Sequence, residues 1–137
     1  MSYKLFDING HEVNQGDLQQ KEIWYEEGIS FEQAFIDKYG NALSLEINPE
    51  KKTNRFTVDL LNTNTGNLGD LKTQTTPFFQ SSFKYGIDPQ YAVTFNHKDY
   101  IRYSKFYDNL ELYFWIDWYV VKFEGKQTIK VDPMNGV

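Results

Sequence analysis

The sequence predicts an α/β domain in which a helix, three strands, a second helix and a long strand follow one another. Aromatic residues make up 18% of the 137-residue chain, with 11 Phe and 10 Tyr, a composition that favours strands. Segments of alternating apolar and polar residues are also separated by two segments with helical periodicity and N-capping residues. We therefore expect one domain over residues 1–137, with an irregular segment at 1–20 and a core at about 23–121.

The first helix is predicted over 31–39, because Ser30 is a suitable N-cap and Gln33 completes a capping box. Gly40 is expected to end this helix. The next segment, 42–47, alternates apolar and polar residues and predicts the first strand of a meander.

The segment from Arg55 to Gln74 predicts two antiparallel strands joined by a tight turn. If the turn consists of Asn64 and Thr65, Asp59 lies directly across from Asp70. Opposite residues on neighbouring antiparallel strands share a face, as do residues two apart on one strand. The hairpin therefore predicts one polar cluster, formed by Asp59, Asp70, Lys72 and Gln74.

This polar cluster predicts a divalent-metal site. Two carboxylates and a lysine on one face are costly unless a cation or a substrate neutralises them. Mg²⁺ prefers carboxylate and carbonyl oxygens, and Mn²⁺ is the usual substitute. The alternative is that Asp70 and Lys72 are ordinary polar residues on the solvent face of a hairpin.

The second helix is predicted over 97–108, with Asn96 as its N-cap. Segments 91–95 and 128–131 predict a short strand and an edge strand. Residues 110–121 predict a long strand that is apolar on both faces and therefore central. Helical spacing places three tyrosines on the buried face of the second helix: Tyr100, Tyr103 and Tyr107.

Charge is distributed unevenly along a chain whose net charge is −5. Residues 1–50 hold 3 basic and 10 acidic side chains, whereas residues 51–105 hold 8 basic and 4 acidic ones. A polyanion can therefore bind one face of an acidic protein, although an ordinary uneven surface is the alternative. The expected phosphate contacts are Lys51, Lys52, Arg55, Lys98, Arg102 and Lys105.

In these residues and in its order of elements, the chain resembles the PD-(D/E)XK nuclease superfamily over about 23–121. The resemblance implies a restriction-endonuclease-like core, helix – three-strand antiparallel meander – helix – strand, with a mixed central sheet flanked by helices. The family motif, an acid on the second core strand and Asp/Glu-x-Lys on the third, is matched by Asp59 and by Asp70-Leu71-Lys72. Gln74 fits a glutamine that many members place two residues after the lysine. Glu32 is the best match to a helical glutamate, with Glu22, Glu26 and Glu27 as alternatives.

The resemblance implies a small Mg²⁺-dependent DNA endonuclease of a phage, mobile-element, restriction or repair system. Asp59, Asp70, the Leu71 carbonyl and Glu32 would hold the metal, while Lys72 would orient or help deprotonate a water. Gln74 would hold the lysine or a nucleotide. RNA is left open as substrate, and cutting both strands of a duplex would imply a homodimer. Two departures are Val58, where the family often has proline, and Asp70, where Glu is more frequent.

Two other classes of protein remain open from the sequence. One is a non-catalytic nucleic-acid-binding or structural module with a nuclease-like fold. The other is a ligand-binding α+β domain with an aromatic pocket lined by Trp24, Phe78, Phe79, Trp115 and Trp118. The chain has no cysteine, opens without a signal peptide and has no apolar run of membrane-spanning length, so a cytoplasmic protein without a membrane partner is expected.

Overall fold

A computed structural model describes residues 2–14, 31–54 and 56–137. The predicted N-cap Ser30, the pocket residue Trp24, the basic residue Arg55 and the alternative glutamates Glu22, Glu26 and Glu27 lie outside the described residues.

The described helices are α1 (Phe31–Leu43), α2 (Ser81–Tyr85) and α3 (His97–Phe106). The described strands are β1 (Lys4–Asp7), β2 (Leu45–Ile47), β3 (Leu60–Asn62), β4 (Leu68–Gln74), β5 (Glu111–Asp117), β6 (Val120–Glu124), β7 (Thr128–Lys130) and β8 (Asn135–Gly136). Short 3₁₀ turns cover Pro49–Lys52 and Pro89–Tyr91. None of the described helices is long and apolar enough to cross a membrane.

The strands form a five-stranded mixed sheet of order β2-β3-β4-β5-β8 and a three-stranded sheet of order β1-β6-β7. The pairs β2–β3 and β3–β4 are antiparallel and make the predicted meander. With α1 before the meander, and α3 and β5 after it, the α/β class is confirmed. The specific restriction-endonuclease-like fold stays a prediction.

The chain divides into two compact units. The central unit comprises Lys21–Lys72 and Phe95–Phe114, and the terminal unit comprises Met1–Gln20, Thr73–Thr94 and Trp115–Val137. Strands β4 and β5 each begin in the central unit and end in the terminal one. A single domain over the whole chain stays a prediction.

Each unit buries its own aromatic residues. In the central unit, Phe35 and Leu60 are fully buried, and the Phe35 ring packs against the rings of Tyr39 and Tyr113. The buried cluster of the terminal unit comprises Leu5, Phe79, Trp118, Val120, Phe123 and Val131. Phe79 and Trp118, which were expected to line a ligand pocket, therefore belong to a packed core.

The first helix is longer than predicted, and Gly40 does not end it. Helix α1 continues through Gly40 to Leu43. A β-carbon at Gly40 would lie 3.0 Å from the Leu45 carbonyl oxygen, so glycine permits close packing there instead of terminating the helix. The chain then turns at Ser44, which has a φ of 57°, and β2 starts only at Leu45.

The predicted strand over 110–121 is wrong, because it is two strands in different sheets. Strand β5 ends at Asp117 and β6 begins at Val120. Between them the Trp118 amide donates to the Met134 carbonyl and the Tyr119 amide to the Thr75 carbonyl. These bonds turn the chain at a point where apolar alternation alone predicts continuation.

Three smaller predictions also differ from the structure. The segment 91–95 is not a strand, since Tyr91 ends a 3₁₀ turn and the four residues after it belong to no described strand. The segment 1–20, expected to be irregular, contains β1, whose partner is β6. Tyr100 is 58% exposed, although Tyr103 is buried as expected. The edge strand near 128–131 is confirmed as β7.

Candidate functional site

The predicted register of the hairpin is confirmed, but its first strand is shorter than predicted and begins at Leu60, one residue after Asp59. Leu60 pairs with Gly69 and Leu61 with Leu68, so extending this register by one residue places Asp59 opposite Asp70. The turn itself is longer than the two residues expected. The Asn62 amide binds the Asn67 carbonyl, which leaves four residues, 63–66, in the loop. Gly66 at a φ of 76° allows the loop to close in this register.

Asp59 accepts hydrogen bonds on both carboxylate oxygens. The Lys51 ammonium donates to Oδ1 at 2.5 Å and the Leu71 backbone amide donates to Oδ2 at 3.0 Å. The amide bond ties the carboxylate to the opposite strand of the hairpin. Burial alone would lower the pKa of Lys51, but its contacts with Asp59 and Glu32 raise that pKa. Lys51 is therefore held as a cation beside Asp59.

Asp70 is 5% exposed and lies between a tyrosine, a lysine and a second carboxylate. Its Oδ2 accepts from the Tyr103 hydroxyl at 2.7 Å and from the Lys72 ammonium at 3.0 Å. Burial raises the pKa of Asp70, and the neighbouring Asp59 carboxylate, within hydrogen-bonding reach, raises it further. These two effects outweigh the lowering by Tyr103 and Lys72, so the fold opposes the ionised form of Asp70.

Lys72 is enclosed by acids and aromatic rings. Its ammonium lies 3.0 Å from Asp70 Oδ2 and 3.0 Å from Asp99 Oδ2. It also lies 5.9 Å from the centre of the Phe95 ring and 5.7 Å from that of Tyr103, within the range of a cation–π contact. Burial would lower the pKa of Lys72, but the hydrogen bonds to Asp99 and Asp70 raise it above its usual value. Lys72 is thus a fixed cation pointing at Asp70.

These contacts arrange the charges of the central unit in alternation, except at one point. The sequence of contacts runs Glu32, Lys51, Asp59, Asp70, Lys72, Asp99, Arg102. Asp59 and Asp70 are the adjacent members that carry the same charge. Hard carboxylate oxygens at a like-charge contact suit Mg²⁺, which is usually bound through one or two carboxylates and completes its shell with water and substrate oxygens. Among the described residues, Asp59 and Asp70 are therefore the side chains that could serve as ligands of such an ion.

Glu32 is linked to the site by Lys51. Its Oε1 is 3.6 Å from the Lys51 ammonium, which in turn contacts Asp59. Within the described parts of the chain, no three His, Cys, Asp or Glu side chains gather as a group that could hold a metal ion. The direct carboxylate set is therefore the pair Asp59 and Asp70, and Glu32 as a further metal ligand stays a prediction.

Gln74 makes its hydrogen bonds within the terminal unit. Its Nε2 donates to the Thr76 carbonyl at 2.8 Å, and its Oε1 accepts from the Thr94 amide at 3.4 Å. These bonds support the chain on either side of α2 and Pro89–Tyr91. The expected role of Gln74 in holding the lysine or a nucleotide stays a prediction.

The predicted phosphate contacts lie in different surroundings. Lys98, Arg102 and Lys105 are exposed on α3, and Lys52 is exposed on the turn after β2. Arg102 also binds Asp99 Oδ1 at 3.2 Å and the Tyr103 hydroxyl at 3.1 Å. Lys51 differs from the others because it contacts two members of the acidic cluster, which consists of Glu32, Asp59, Asp70 and Asp99.

Two residues of α3 and one anchor of the site were not predicted for these positions. Tyr103 was expected only as a core residue, and no role was assigned to Asp99. Asn48 is 2% exposed and connects the turn bearing Lys51 to the segment before Asp59. Its Nδ2 donates to the Val58 carbonyl at 3.0 Å, and its Oδ1 accepts from the Glu50 amide at 3.1 Å. No sequence pattern pointed to this anchor.

Comparison of the chain with protein-family models, with curated proteins and with solved structures gives no match. The function of the chain is therefore inferred from its residues and their geometry.

Proposed function

We propose that the chain is a metal-dependent phosphodiester hydrolase, a small DNA endonuclease whose site is built on the β3–β4 hairpin. The observation that carries the proposal is the hairpin register, which places Asp59 opposite Asp70, together with the Lys72 ammonium held 3.0 Å from Asp70. Two carboxylates at one point and a fixed ammonium beside them supply what phosphodiester hydrolysis needs: a place for a divalent cation and a positive charge for the phosphate.

In this proposal Asp59, Asp70 and the Leu71 carbonyl would hold Mg²⁺ or Mn²⁺, and Glu32 would complete the ligand set directly or through water. When bound, the ion would supply an acidified water and neutralise charge on the phosphate. Lys72 acts as a cation that orients the water and faces the scissile phosphate, because Asp99 and Asp70 keep it protonated. A role for Lys72 as a base is disfavoured for the same reason.

Nucleic-acid binding is assigned to the exposed side of α3. Lys98 and Lys105 are exposed there, and Asp99, the acid of this helix, binds Lys72 and Arg102. The outer side is therefore basic, and its phosphate contacts would hold DNA without reading its sequence. Lys52 and Arg55 are proposed as additional contacts. A homodimer is proposed for cutting both strands of a duplex.

The test is cleavage of supercoiled, linear and single-stranded DNA, and of a matched RNA, in Mg²⁺, in Mn²⁺ and in EDTA. We expect cutting that requires the metal and is lost in both Asp70→Ala and Lys72→Ala. Lys126→Met is the control, because Lys126 is an exposed residue between β6 and β7 to which no role is assigned.

Cutting that survives both site substitutions would identify a contaminating nuclease and contradict the proposal. DNA binding without cutting, unchanged by EDTA, would instead favour the non-catalytic module. Each of the four acidic side chains of the cluster already contacts a basic side chain. The alternative is therefore a cluster with a purely structural role, and this experiment distinguishes that role from catalysis.

A further inference from the structure

Lys51 was expected to be a surface contact to phosphate, but it lies inside the acidic cluster. Its ammonium is 2.5 Å from Asp59 Oδ1 and 3.6 Å from Glu32 Oε1. The Lys51 side chain is 24% exposed and that of Asp59 is 14% exposed, so water screens the pair only partly. The ammonium thus lies between two carboxylates, Asp59 and Glu32, that the proposed function assigns to a metal ion.

We propose that Lys51 is a built-in counter-ion of Asp59 that a divalent cation must displace, with Glu32 receiving the displaced ammonium. This inference rests on the proposed metal site at Asp59 and Asp70. It adds a residue that sets the metal affinity of that site, and it gives Glu32 a role that does not require direct coordination.

Electrostatic repulsion would drive the displacement. A divalent cation on Asp59 and the Lys51 ammonium would both contact the same carboxylate, and like charges at that separation repel strongly where water is partly excluded. The lysine side chain has a flexible four-carbon stem, and Glu32 lies within its reach on the other side. A small rotation therefore keeps Lys51 paired while it leaves Asp59 to the metal.

The position of Lys51 is built into the fold. The turn Pro49–Lys52 starts at Asn48, whose side chain binds the Glu50 amide and the Val58 carbonyl. The Asn48 amide also donates to the Asp59 carbonyl at 2.9 Å. The segments that carry Lys51 and Asp59 are therefore joined before any ligand binds, and the ion pair is a fixed feature of the metal-free protein.

The test is calorimetric titration of Mn²⁺ into the full chain as wild type, Lys51→Met and Lys52→Met. Lys52 is the exposed neighbour, so Lys52→Met makes the same change in net charge away from the carboxylates. We expect Lys51→Met to bind Mn²⁺ roughly tenfold more tightly than wild type, because a like-charge contact is removed. Lys52→Met should stay within about twofold of wild type, since solvent screens exposed charges.

Equal or weaker Mn²⁺ binding by Lys51→Met, compared with Lys52→Met, would overturn the proposal while leaving the metal site intact. If neither wild type nor Lys51→Met binds Mn²⁺, the metal site and the proposed function fail together. Thermal unfolding in EDTA checks that each variant is folded, and Lys51→Gln replaces Lys51→Met if that variant is not.

Glu32→Gln, made in the wild-type and Lys51→Met backgrounds, tests the receiving role. If Glu32 receives the ammonium, Glu32→Gln weakens Mn²⁺ binding only while Lys51 is present. An equal loss in both backgrounds would show that Glu32 is a direct ligand and would contradict this part of the proposal.

Discussion

Asp70 lies opposite Asp59 in the register of the hairpin, and the Asp59 carboxylate raises the pKa of Asp70. The Leu71 amide, 3.0 Å from Asp59 Oδ2, fixes this arrangement from the neighbouring strand. The hairpin thus holds two acidic side chains close to each other. Such an arrangement opposes stability in the metal-free protein, and in the proposed function a bound cation would relieve it.

We expect Asp70→Asn to stabilise the metal-free protein at neutral pH by about 1 kcal/mol. The amide removes the repulsion from Asp59 and keeps an oxygen for the Tyr103 hydroxyl. Because the pKa of Asp70 is raised in the folded state, wild type loses stability as the pH rises through that folded pKa, and the variant does not. Urea unfolding in EDTA, repeated from about pH 4 to about pH 8, measures this difference, because a carboxyl with a raised pKa titrates in that range.

The matched control is Asp108→Asn, an exposed aspartate after α3. A loss of stability in Asp70→Asn that persists at all pH values would mean that the ion pair with Lys72 dominates, contrary to this account.

We expect Asp99→Asn to lower the catalytic rate of the proposed nuclease roughly 10- to 100-fold, as is usual when a group orienting a site residue is removed. Asp99 holds the Lys72 ammonium at 3.0 Å from the side opposite Asp70. Without it, Lys72 keeps Asp70 as its acidic partner and loses its orientation. Steady-state kinetics should show the loss in kcat, with KM nearly unchanged.

Asp99→Glu should recover part of that loss, because it restores the charge. A change in KM alone would indicate that Asp99 acts only on nucleic-acid binding through Arg102, and the positioning role would then be wrong.

The polar cluster around Glu111 predicts a dependence of stability on pH. Burial would raise the pKa of Glu111, but hydrogen bonds from the Tyr113 hydroxyl at 2.5 Å and from Asn62 at 3.0 Å bring it below its usual value. A depressed folded pKa contributes stability above the unfolded pKa, and this is lost as the pH falls through the folded pKa. Glu111→Gln should therefore be less stable than wild type at neutral pH, by no more than about 1 kcal/mol.

The difference between wild type and Glu111→Gln should shrink as the pH falls below the usual range of glutamate. Thermal unfolding at neutral and at acidic pH measures it. A difference that grows on acidification would contradict the sign of the shift.

We expect the double variant Lys98→Gln, Lys105→Gln to weaken DNA binding uniformly across sequences and to reduce the salt dependence of the affinity by about 1 per lysine. These two lysines are chosen and Arg102 is left unchanged, because Arg102 also contacts Asp99 and Tyr103 within the site. Fluorescence anisotropy at several salt concentrations measures the slope. An unchanged slope would remove the α3 surface from the proposed interface.

Much of the hairpin was predictable because its features are local. Alternation and a turn determined the register that places Asp59 opposite Asp70, and a register of this kind tolerates a loop of four residues in place of two. Asn96 predicted the start of α3, and its side chain does accept from the Lys98 amide at 2.8 Å.

The remaining site residues depend on contacts that no local pattern encodes. Asp99 and Tyr103 reach Lys72 and Asp70 only through the packing of α3, 27 and 33 residues away along the chain. Lys51 was expected to contact phosphate, whereas the buried side chain of Asn48 anchors the turn that brings Lys51 to Asp59. The break at Trp118 was not predictable from a local pattern either. Apolar residues before and after it continue the alternation, whereas backbone hydrogen bonds end the strand.

In the proposed function, Asp59 and Asp70 act together in metal-dependent hydrolysis of DNA. The most direct measurement is the rate of nicking of supercoiled DNA in Mg²⁺ by wild type, Asp70→Asn and Lys126→Met, purified in parallel. We expect Asp70→Asn to lose roughly 100- to 1,000-fold in rate while it remains at least as stable as wild type, and Lys126→Met to be unchanged. Equal nicking by wild type and folded Asp70→Asn would contradict the account.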